Sequence, residues 1–292
     1  MSFDYTLLKN EPAVKNIFTV DLEDWFNFEH DDLPTSPKEW GQMESRVEAV
    51  TGDLLALLER HNTSATFFVL GWIAEQHPQL LRRIADAGHE LGCHTYGHHR
   101  VNQAGADFFR EDLRKTKQLV EKAAGRPPRS FRAPFFSVDE SSDWVFEILA
   151  QEGFLYDSSI FPALRLDGGC PTAPAHPHVI HTDSGELCEL PITVMDLFGK
   201  RFTLFGGGYF RLTPGWLVFA AICRLNRRNI PVNFYIHPHD MDEGQPRMKM
   251  GAFSTFRRYV GLSRTVRKLD AMLSRFSFCS VEQYFSEEMN KK

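Results

Sequence analysis

The sequence predicts an α/β fold: a distorted or incomplete parallel (β/α) barrel, TIM-like, in a single domain that spans residues 1–292. Short runs rich in β-branched and aromatic residues alternate with longer stretches of helical period, which is typical of repeated β-α units. Polar clusters follow the carboxyl ends of several predicted strands, the edge at which such barrels carry their sites. A chain of 292 residues also lies in the size range of one barrel.

Eight segments are predicted as strands because each is short, apolar and bounded by turn-forming residues. The predicted strands are 16–21, 64–70, 89–94, 129–134, 154–158, 188–193, 231–237 and 276–281. Six segments between them have helical period, and several are expected to end at a glycine in the left-handed conformation. The predicted helices are 44–61, 72–88, 105–125, 141–153, 214–228 and 262–275. Eight strands with six clear helices favour an incomplete barrel over an open doubly wound sheet.

One long segment does not fit the alternation of strands and helices. Residues 159–187 are rich in proline and glycine and contain several histidines. We therefore expect a loop insertion at 159–187 that lies over the mouth of the barrel, and no linker that would divide the chain.

Composition excludes several classes of protein. The net charge of −5 and the pI near 6.2 leave no basic excess, which argues against nucleic-acid binding and against a general anionic-membrane anchor. The first residues carry acids and a proline where a secretory signal needs a basic and then apolar start, and no apolar run reaches ~18 residues. The sequence thus predicts a cytoplasmic protein without a stable membrane anchor.

The first predicted strand ends in TVDLEDW, which contains three acids. Asp21 and Glu23 share a face if the strand runs on through Glu23, because strand side chains alternate between faces. Asp24 joins them only if the chain has already turned. Acids at a strand end are also common as helix caps or solvated loop residues.

The third predicted strand is followed by HTYGH, in which His94 and His98 lie four residues apart. Histidines at this spacing share one side of a helical turn or loop, and imidazole is a suitable ligand for zinc and related divalent ions. The spacing also occurs by chance, so the pair alone does not establish a metal site.

Two further strand ends carry candidate groups. Arg132 in RAPFF is either a surface ion-pair partner or the residue that orients a neighbouring carboxylate. His237 in FYIHPHD closes an apolar strand, where a histidine is either a core group with satisfied hydrogen bonds or a catalyst.

These motifs occur in the order found in one family. The acid cluster, H-T-x-x-H, R-x-P-F and I-H-P, each closing a successive strand, resemble the polysaccharide deacetylase family, also known as the NodB-homology family of carbohydrate esterases. The motifs TVDLEDWF, FRAPFFSV and GGGYFR are similar to those of cytoplasmic members from exopolysaccharide or O-antigen loci, related to the peptidoglycan deacetylase and allantoinase-like branch.

The resemblance implies roles for five residues. It implies that His94 and His98 bind a divalent metal ion, that Asp21 is the general base, that Arg132 tethers Asp21, and that His237 is the general acid. The implied cofactor is one divalent ion, Zn²⁺ in the first instance, with Co²⁺, Ni²⁺ or Mn²⁺ as alternatives.

The first motif departs from the family pattern, in which two aspartates are adjacent. The third metal ligand is therefore either Glu23 or Asp24, and strand parity favours Glu23. Metal dependence itself stays open, because allantoinase-like relatives can work without a metal.

Other residues are expected around this centre. We expect the backbone N–H of Phe135 or Phe136 to stabilise an oxyanion, and Asp157 or Asp240 to keep His237 protonated.

The glycine-rich stretch 196–214 lacks the Lys-Ser/Thr of a phosphate loop. It is predicted to form a lip of the site. Tyr209 is predicted to stack on a sugar ring, and Arg211 is predicted to contact an anionic group of the substrate. The other predicted substrate contacts are Trp25, Pro134, Phe135 and Phe136. Core packing is the alternative for these residues.

The leading functional hypothesis is a metal-dependent hydrolase that removes N-acetyl groups from an N-acetylated sugar or glycan intermediate of polysaccharide biosynthesis. The alternatives are an amidohydrolase of a small cyclic amide or ureide, and a catalytically silent glycan-binding module. A soluble or a lipid-linked substrate and a homo-oligomer are all compatible with the sequence. The basic segment 247–268 is amphipathic, which is typical of a solvated helix face or of a membrane contact.

Overall fold

The computed structural model describes residues 14–27, 36–164 and 169–289. Within these residues, nine strands form one curled sheet in the order β10-β1-β2-β3-β4-β5-β7-β6, and β11 also pairs with β1. Neighbouring strands are parallel except for β6 and β7. The predicted fold class, an incomplete parallel barrel surrounded by helices, is confirmed.

The strands are β1 (Asn16–Leu22), β2 (Thr66–Val69), β3 (Glu90–Cys93), β4 (Ser130–Phe131), β5 (Tyr156–Asp157), β6 (His178–Thr182), β7 (Gly185–Glu189), β8 (Met195–Leu197), β9 (Lys200–Phe202), β10 (Asn233–Ile236) and β11 (Phe278–Cys279). The helices are α1 (Pro37–Trp40), α2 (Val47–Arg60), α3 (Gly71–Gln76), α4 (Pro78–Asp86), α5 (Val101–Ala104), α6 (Ala106–Ala124), α7 (Trp144–Gln151), α8 (Gly207–Leu212), α9 (Gly215–Asn226), α10 (Ala252–Tyr259), α11 (Leu262–Leu273) and α12 (Val281–Met289).

The two ends of the sheet meet through side-chain hydrogen bonds rather than through a regular ladder. The amide of Asn233 in β10 donates to the carbonyls of Leu190 and Pro191, which follow β7, at 3.2 Å each. The backbone N–H of Asn233 donates to Thr193 Oγ1 at 2.8 Å. Two strands that meet in this way have no continuous pairing, which accounts for the distortion of the barrel.

The amino-terminal end of the barrel is closed by α12. Phe285 stacks on Tyr156 with ring centroids 5.4 Å apart, and Ile17 and Val281 are buried in the same apolar cluster. The backbone N–H of Val281 donates to Thr66 Oγ1 at 2.8 Å. Because this end is plugged by apolar side chains, the opposite edge, at the carboxyl ends of the strands, is the one left for a site.

The structure adds elements that the sequence patterns did not indicate. The predicted helix 72–88 is divided into α3 and α4 at Pro78, which lacks the N–H that a continuous helix would need. The predicted loop 159–187 includes β6 and the start of β7, an antiparallel hairpin at the sheet edge, although residues 165–168 lie outside the described part. The hairpin β8–β9 and the helices α1, α5, α8, α10 and α12 were also not predicted, because all are short or weakly periodic.

Two buried acids face each other on β5 and β7. Asp157 and Glu189 are register partners, and both are fully buried. Burial raises the pKa of Glu189 well above its ordinary value, and the charge of Asp157 and a hydrogen bond with Asp157 raise it further. Ser159 Oγ donates to Asp157 at 2.7 Å, and the Ile160 N–H donates to Glu189 at 3.1 Å. Glu189 therefore loses its proton at a higher pH in the folded protein than in the unfolded chain.

This proton predicts a pH effect on stability. Between the ordinary carboxyl pKa and the raised one, the unfolded chain has lost the Glu189 proton and the folded chain keeps it. The free energy of unfolding should therefore fall as pH rises from about 5 to 7, by at most about 1.4 kcal/mol per pH unit from this group. Glu189→Gln should flatten this dependence, measured by urea unfolding at both pH values. The exposed Glu111→Gln is the matched control, and equal pH dependence in both variants would contradict the assignment.

Candidate active site

Four strand ends bring the predicted polar residues to one edge of the barrel. Asp21 lies near the end of β1, His94 directly follows β3, Arg132 directly follows β4, and His237 directly follows β10. In the parallel sheet these carboxyl ends lie side by side, since β1 pairs with both β2 and β10, and β3 pairs with β2 and β4. Segments far apart in the chain therefore meet here.

Glu23 and the two histidines converge on one point. Glu23 Oε1 lies 3.3 Å from His94 Nε2 and 3.1 Å from His98 Nε2, and all three side chains are buried. A tetrahedral ion with bonds of about 2.0–2.1 Å holds its ligand atoms roughly 3.3 Å apart. The three side chains thus have the spacing of metal ligands before any ion is considered.

The protonation of this cluster also indicates a cation. His94 Nδ1 donates to the Arg132 carbonyl at 2.7 Å, which leaves a lone pair on Nε2 of the neutral ring. That lone pair faces a Glu23 oxygen, which is also an acceptor. His98 Nε2 is buried and, despite its proximity to Glu23, has no partner with hydrogen-bond geometry. Buried atoms whose lone pairs face one another need a cation between them. The three side chains therefore fit as ligands of a divalent ion.

The charges around Glu23 keep it ionised. Burial alone would raise the pKa of Glu23, but the positive charges that His98 and His237 carry when protonated, and the close contacts with His94 and His98, lower it well below its ordinary value. A carboxylate with two neutral imidazoles is a donor set typical of zinc and similar divalent ions.

Asp24 is not directed at the histidines. One oxygen, Oδ2, accepts hydrogen bonds from the Arg46 and Val47 N–H groups and from Ser45 Oγ, at 2.9, 3.2 and 2.6 Å, so it caps the start of α2. The other oxygen accepts from the Trp25 N–H at 2.8 Å. Of the two candidates for the third ligand, the structure brings Glu23 to the cluster, and it corrects the assignment of Asp24 as a ligand. Strand parity had favoured Glu23 because a strand that continues through Glu23 places it on the same face as Asp21.

The capping position of Asp24 leads to a prediction. Asp24→Ala should lower the free energy of unfolding by about 1–2 kcal/mol, because the backbone N–H groups at the start of α2 lose their acceptor. Metal content should be unchanged. Urea unfolding together with metal analysis of the purified variant measures both, and loss of the metal with normal stability would return Asp24 to the ligand set.

Arg132 is the fully buried residue that orients Asp21. Its Nη1 donates to Asp21 Oδ1 at 2.7 Å and to Thr19 Oγ1 at 2.9 Å. Its Nε donates to the Ser158 carbonyl at 3.1 Å, and its Nη2 donates to Ser158 Oγ at 2.8 Å. The guanidinium also lies 4.3 Å from the Phe68 ring centroid. An arginine held by four hydrogen bonds fixes one carboxylate oxygen of Asp21 and leaves the other, Oδ2, directed towards His237 at 3.8 Å.

Thr19 and Ser158 are site residues that sequence reasoning missed. Thr19 Oγ1 accepts from Arg132 and donates to the Phe234 carbonyl at 2.9 Å. Ser158 Oγ accepts from Arg132 and donates to the Leu190 carbonyl at 2.7 Å. The two-residue period that placed Glu23 beside Asp21 also places Thr19 on that face, so the signal was present in the sequence.

His237 is held by a chain of charged groups. Its Nδ1 lies 2.9 Å from Asp240 Oδ2, and Asp240 Oδ1 lies 2.7 Å from Arg211 Nε. Burial would lower the pKa of His237, but the charge of Glu23, the hydrogen bond that His237 donates to Asp240, and the charges of Asp240 and Asp21 raise it to about 9. Burial would raise the pKa of Asp240, yet Arg211 and His237 hold it well below its ordinary range. His237 is therefore a cation whose Nε2 faces Asp21 and Glu23, each at 3.8 Å.

Two predicted roles are corrected by this chain. Arg211, expected to contact an anionic group of a substrate, is buried, forms an ion pair with Asp240 and donates to the carbonyls of Arg258 and Val260. Asp157, one of two acids proposed to pair with His237, bonds to Ser159 instead. Asp240 is the acid that pairs with His237.

Several predicted substrate contacts are also corrected. Trp25 is buried, with its indole N–H donating to the Glu44 carbonyl at 2.9 Å. Pro134 is buried, and Phe136 packs against Tyr235 with ring centroids 5.2 Å apart. The Phe136 N–H donates to the Ala133 carbonyl at 3.1 Å, which removes it as an oxyanion donor. These groups belong to the support of the site rather than to its surface.

Phe135 and Tyr209 remain candidates for substrate contact. The Phe135 ring lies against His98, with centroids 4.4 Å apart, and is half-buried. Tyr209 on α8 is 57% exposed. At Gly206, just before α8, a Cβ would lie 2.1 Å from the Tyr235 ring, so only glycine allows the GGGY segment to approach β10 and His237 this closely.

Backbone strain is concentrated in the two loops that carry the site. Thr95 and His98 in one loop, and Phe135 and Phe136 in the other, have φ between 52° and 59°, a left-handed conformation unusual for such residues. Each costs of order 1–3 kcal/mol and persists only where the surroundings hold it. The strain aims His98 and Phe135 into the same space.

Comparisons with known proteins agree with this arrangement. Residues 30–154 match the family model described as polysaccharide deacetylase, and residues 158–286 match a domain of unknown function, DUF3473. A peptidoglycan-N-acetylglucosamine deacetylase of Bacillus cereus is 37% identical over 98 residues, 33% of this chain and 36% of that protein. The chain thus aligns with about a third of the length of this curated relative.

Solved structures show the same fold. A protein of Mycobacterium smegmatis assigned to the polysaccharide deacetylases has a TM-score of 0.56 and 24% identity, covering 89% of this chain and 92% of that one. The PuuE allantoinase has a TM-score of 0.55 and 14% identity, covering 96% of this chain and 94% of that one.

The curled parallel sheet and the matched stretch with His94, His98 and Arg132 define a polysaccharide deacetylase domain. Residues 30–154 match the polysaccharide deacetylase, or NodB-homology, family model, so this part of the chain is similar to that family. The second matched stretch contributes β6, β7, β10 and β11 to the same sheet and brings His237 and Asp240 to the site.

Proposed function

We propose that this protein is a divalent-metal-dependent hydrolase that removes N-acetyl groups from an N-acetylated sugar or glycan. The observation that carries the proposal is the convergence of Glu23, His94 and His98 at ligand spacing, between the Asp21–Arg132 pair and the His237–Asp240 pair. One centre then offers ligands for a metal, a base and an acid, which are the three groups that metal-assisted amide hydrolysis uses.

Glu23, His94 and His98 would hold the ion. An ion there would polarise the amide carbonyl and lower the pKa of water, because an amide is a poor electrophile and water is a poor nucleophile at neutral pH. Zn²⁺ is the first choice from the donor set of two imidazoles and one carboxylate, and Co²⁺, Ni²⁺ and Mn²⁺ are alternatives.

Asp21 takes the proton from the attacking water. Arg132 binds one carboxylate oxygen of Asp21, so Oδ2 is the oxygen available for the proton, and it lies on the side that faces Glu23 and His237. The arginine orients this base and gives its buried carboxylate a partner of opposite charge.

His237 donates a proton to the leaving amine. It is cationic because three carboxylates surround it, and Asp240 fixes its Nδ1 so that Nε2 carries the mobile proton. The Phe135 N–H is our candidate for stabilising the oxyanion. Tyr209, exposed on the neighbouring helix, is our candidate for stacking on the sugar ring.

The substrate we propose is a glycan intermediate of polysaccharide biosynthesis. Two observations support a glycan: the B. cereus relative is a peptidoglycan-N-acetylglucosamine deacetylase, and the motif TVDLEDWF is similar to those of members from exopolysaccharide loci.

We also propose that residues 1–292 form a single domain in which part of the segment 159–187 lies near the site. The packing of Phe161 and Ala163 against Phe136 supports the position of that segment.

Acetate release from N-acetylglucosamine oligomers, with and without a chelator, tests the proposal. We expect release that stops with the chelator and returns when Zn²⁺ is added. Hydrolysis of a small cyclic ureide but not of the oligomers would favour an allantoinase-like amidohydrolase, which the structural similarity to the PuuE allantoinase keeps as the second candidate. No release from either substrate under any metal condition would favour a silent binding module.

A further inference from the structure

Charge is strongly segregated along this chain, although the net charge is only −5. Residues 197–269 contain 13 Lys and Arg and three Asp and Glu, a balance of +10, whereas the other residues hold 20 and 35, a balance of −15. Two of those three acids, Asp240 and Asp242, are buried. The overall composition, which argued against contact with anionic membranes, therefore conceals a basic surface.

Large apolar side chains are exposed in the same part of the chain. Leu212 at the end of α8 and Trp216 in α9 are 55% and 56% exposed. Phe253 and Phe256 in α10 are 72% and 53% exposed, and their three-residue spacing places them on one face of the helix. Exposed apolar residues that occur together, rather than singly, indicate an interaction surface.

Hydrogen bonds hold these elements together as one surface. Arg211 in α8 donates to the carbonyls of Arg257 and Val260, at 3.0 and 2.8 Å, at the junction of α10 and α11. Lys268 in α11 donates to the Thr213 carbonyl, between α8 and α9, at 2.8 Å. The exposed residues of the four helices are therefore fixed relative to one another.

Basic side chains lie beside the apolar ones. Leu212, Arg264 and Arg267 line a single groove of about 580 Å³ between the end of α8 and α11. Among the described residues, no carboxylate forms a salt bridge with Arg264 or Arg267. We call Leu212, Trp216, Phe253, Phe256, Arg264 and Arg267 the basic apolar face.

We propose that the basic apolar face binds the surface of a lipid bilayer that contains anionic phospholipid. Aromatic and aliphatic side chains enter the boundary between headgroups and acyl chains, while arginines at the same level bind lipid phosphates. The acidic remainder of the chain is repelled by such a surface, so binding has one orientation. No helix in residues 14–27, 36–164 and 169–289 is long and apolar enough to span a membrane, so this contact is peripheral.

Charge favours a bilayer over a second copy of this chain as the occupant. A twofold interface through this face would bring the basic surface of one copy, with Arg264 and Arg267, against the basic surface of the other. Among the described residues, no acid lies between residues 244 and 269 to compensate for that repulsion. An anionic lipid surface has the complementary charge.

The helix α8 connects this face to the candidate active site. Leu212 is its last residue, and at its first residue, Gly207, a Cβ would lie 3.7 Å from His237 Cε1. A chain bound by this face would hold the site near the membrane surface, where a lipid-linked N-acetylated sugar is found. That consequence rests on the proposed function, whereas binding itself does not.

Vesicle co-sedimentation of the full chain tests the proposal. We expect binding to vesicles of phosphatidylcholine with phosphatidylglycerol, weaker binding at high salt, and little binding to phosphatidylcholine alone. The double variant Arg264→Glu, Arg267→Glu should reduce partitioning at least about ten-fold. Phe253→Ser with Phe256→Ser should reduce it as well. Arg82→Glu with Arg83→Glu, exposed on α4, makes the same charge change elsewhere and should bind almost as wild type does.

Three outcomes would overturn the proposal. The first is no sedimentation with phosphatidylglycerol vesicles, and the second is equal loss of binding in the α4 control. The third is a concentration-dependent dimer that the Arg264, Arg267 variant abolishes, which would assign the face to a second copy. Acetate release from soluble oligomers is measured separately, so failure of the membrane contact and failure of the deacetylase assignment are distinguishable.

Discussion

His94→Ala should abolish bound metal and acetate release together. His94 supplies one of three ligand atoms, and its Nδ1 hydrogen bond to the Arg132 carbonyl ties the metal cluster to the residue that orients Asp21. Losing the ion removes several kcal/mol of transition-state stabilisation, so we expect a fall in kcat/KM of at least about 10³-fold. Metal analysis of the purified variant and the acetate assay measure the two effects.

The neighbouring His99 provides the matched control. His99 is exposed in the same loop and packs against Phe108, with ring centroids 5.3 Å apart, outside the ligand cluster. His99→Ala should keep metal content and activity close to those of the wild type. A His94→Ala protein with full metal content would contradict the ligand assignment.

Asp21→Asn should keep the metal and lose turnover. Asparagine retains an oxygen that can accept from Arg132, so the local geometry survives, but it cannot take a proton from water. General-base catalysis contributes about 10²–10⁴-fold, and we expect kcat to fall by that factor with metal content unchanged. Single-turnover acetate release and metal analysis measure both quantities.

A rate within a few-fold of wild type in the Asp21→Asn variant would assign the base elsewhere. Loss of metal in this variant would instead place Asp21 among the ligands, as its proximity to Glu23 and His237 would allow.

The sequence was sufficient for the fold class and for the centre of the site. Each of the eight predicted strands overlaps an observed strand, although 188–193 overlaps β7 only at residues 188 and 189. The other seven are short apolar segments that the parallel sheet buries. Since the carboxyl ends of parallel strands meet at one edge, motifs around Asp21, His94, Arg132 and His237 could be expected to converge. Their roles follow from chemistry that residue type largely determines.

What the sequence could not give was the direction of individual side chains. Asp24 and Glu23 are adjacent, and only the entry into α2 decides that Asp24 caps a helix. Arg211 could not be paired with Asp240 from sequence, because α8 is short and its packing depends on distant contacts with α10 and α11. Trp25 and Phe136 are aromatic residues at the site edge, and their burial depends on tertiary packing that residue type does not determine.

A crystal of this protein soaked with Zn²⁺ and measured at the zinc absorption edge tests the central claim most directly. The account predicts one strong anomalous peak within about 2.0–2.2 Å of Glu23 Oε1, His94 Nε2 and His98 Nε2. A soaked crystal with no peak between these three atoms, or with its only ordered zinc at other residues, would contradict it.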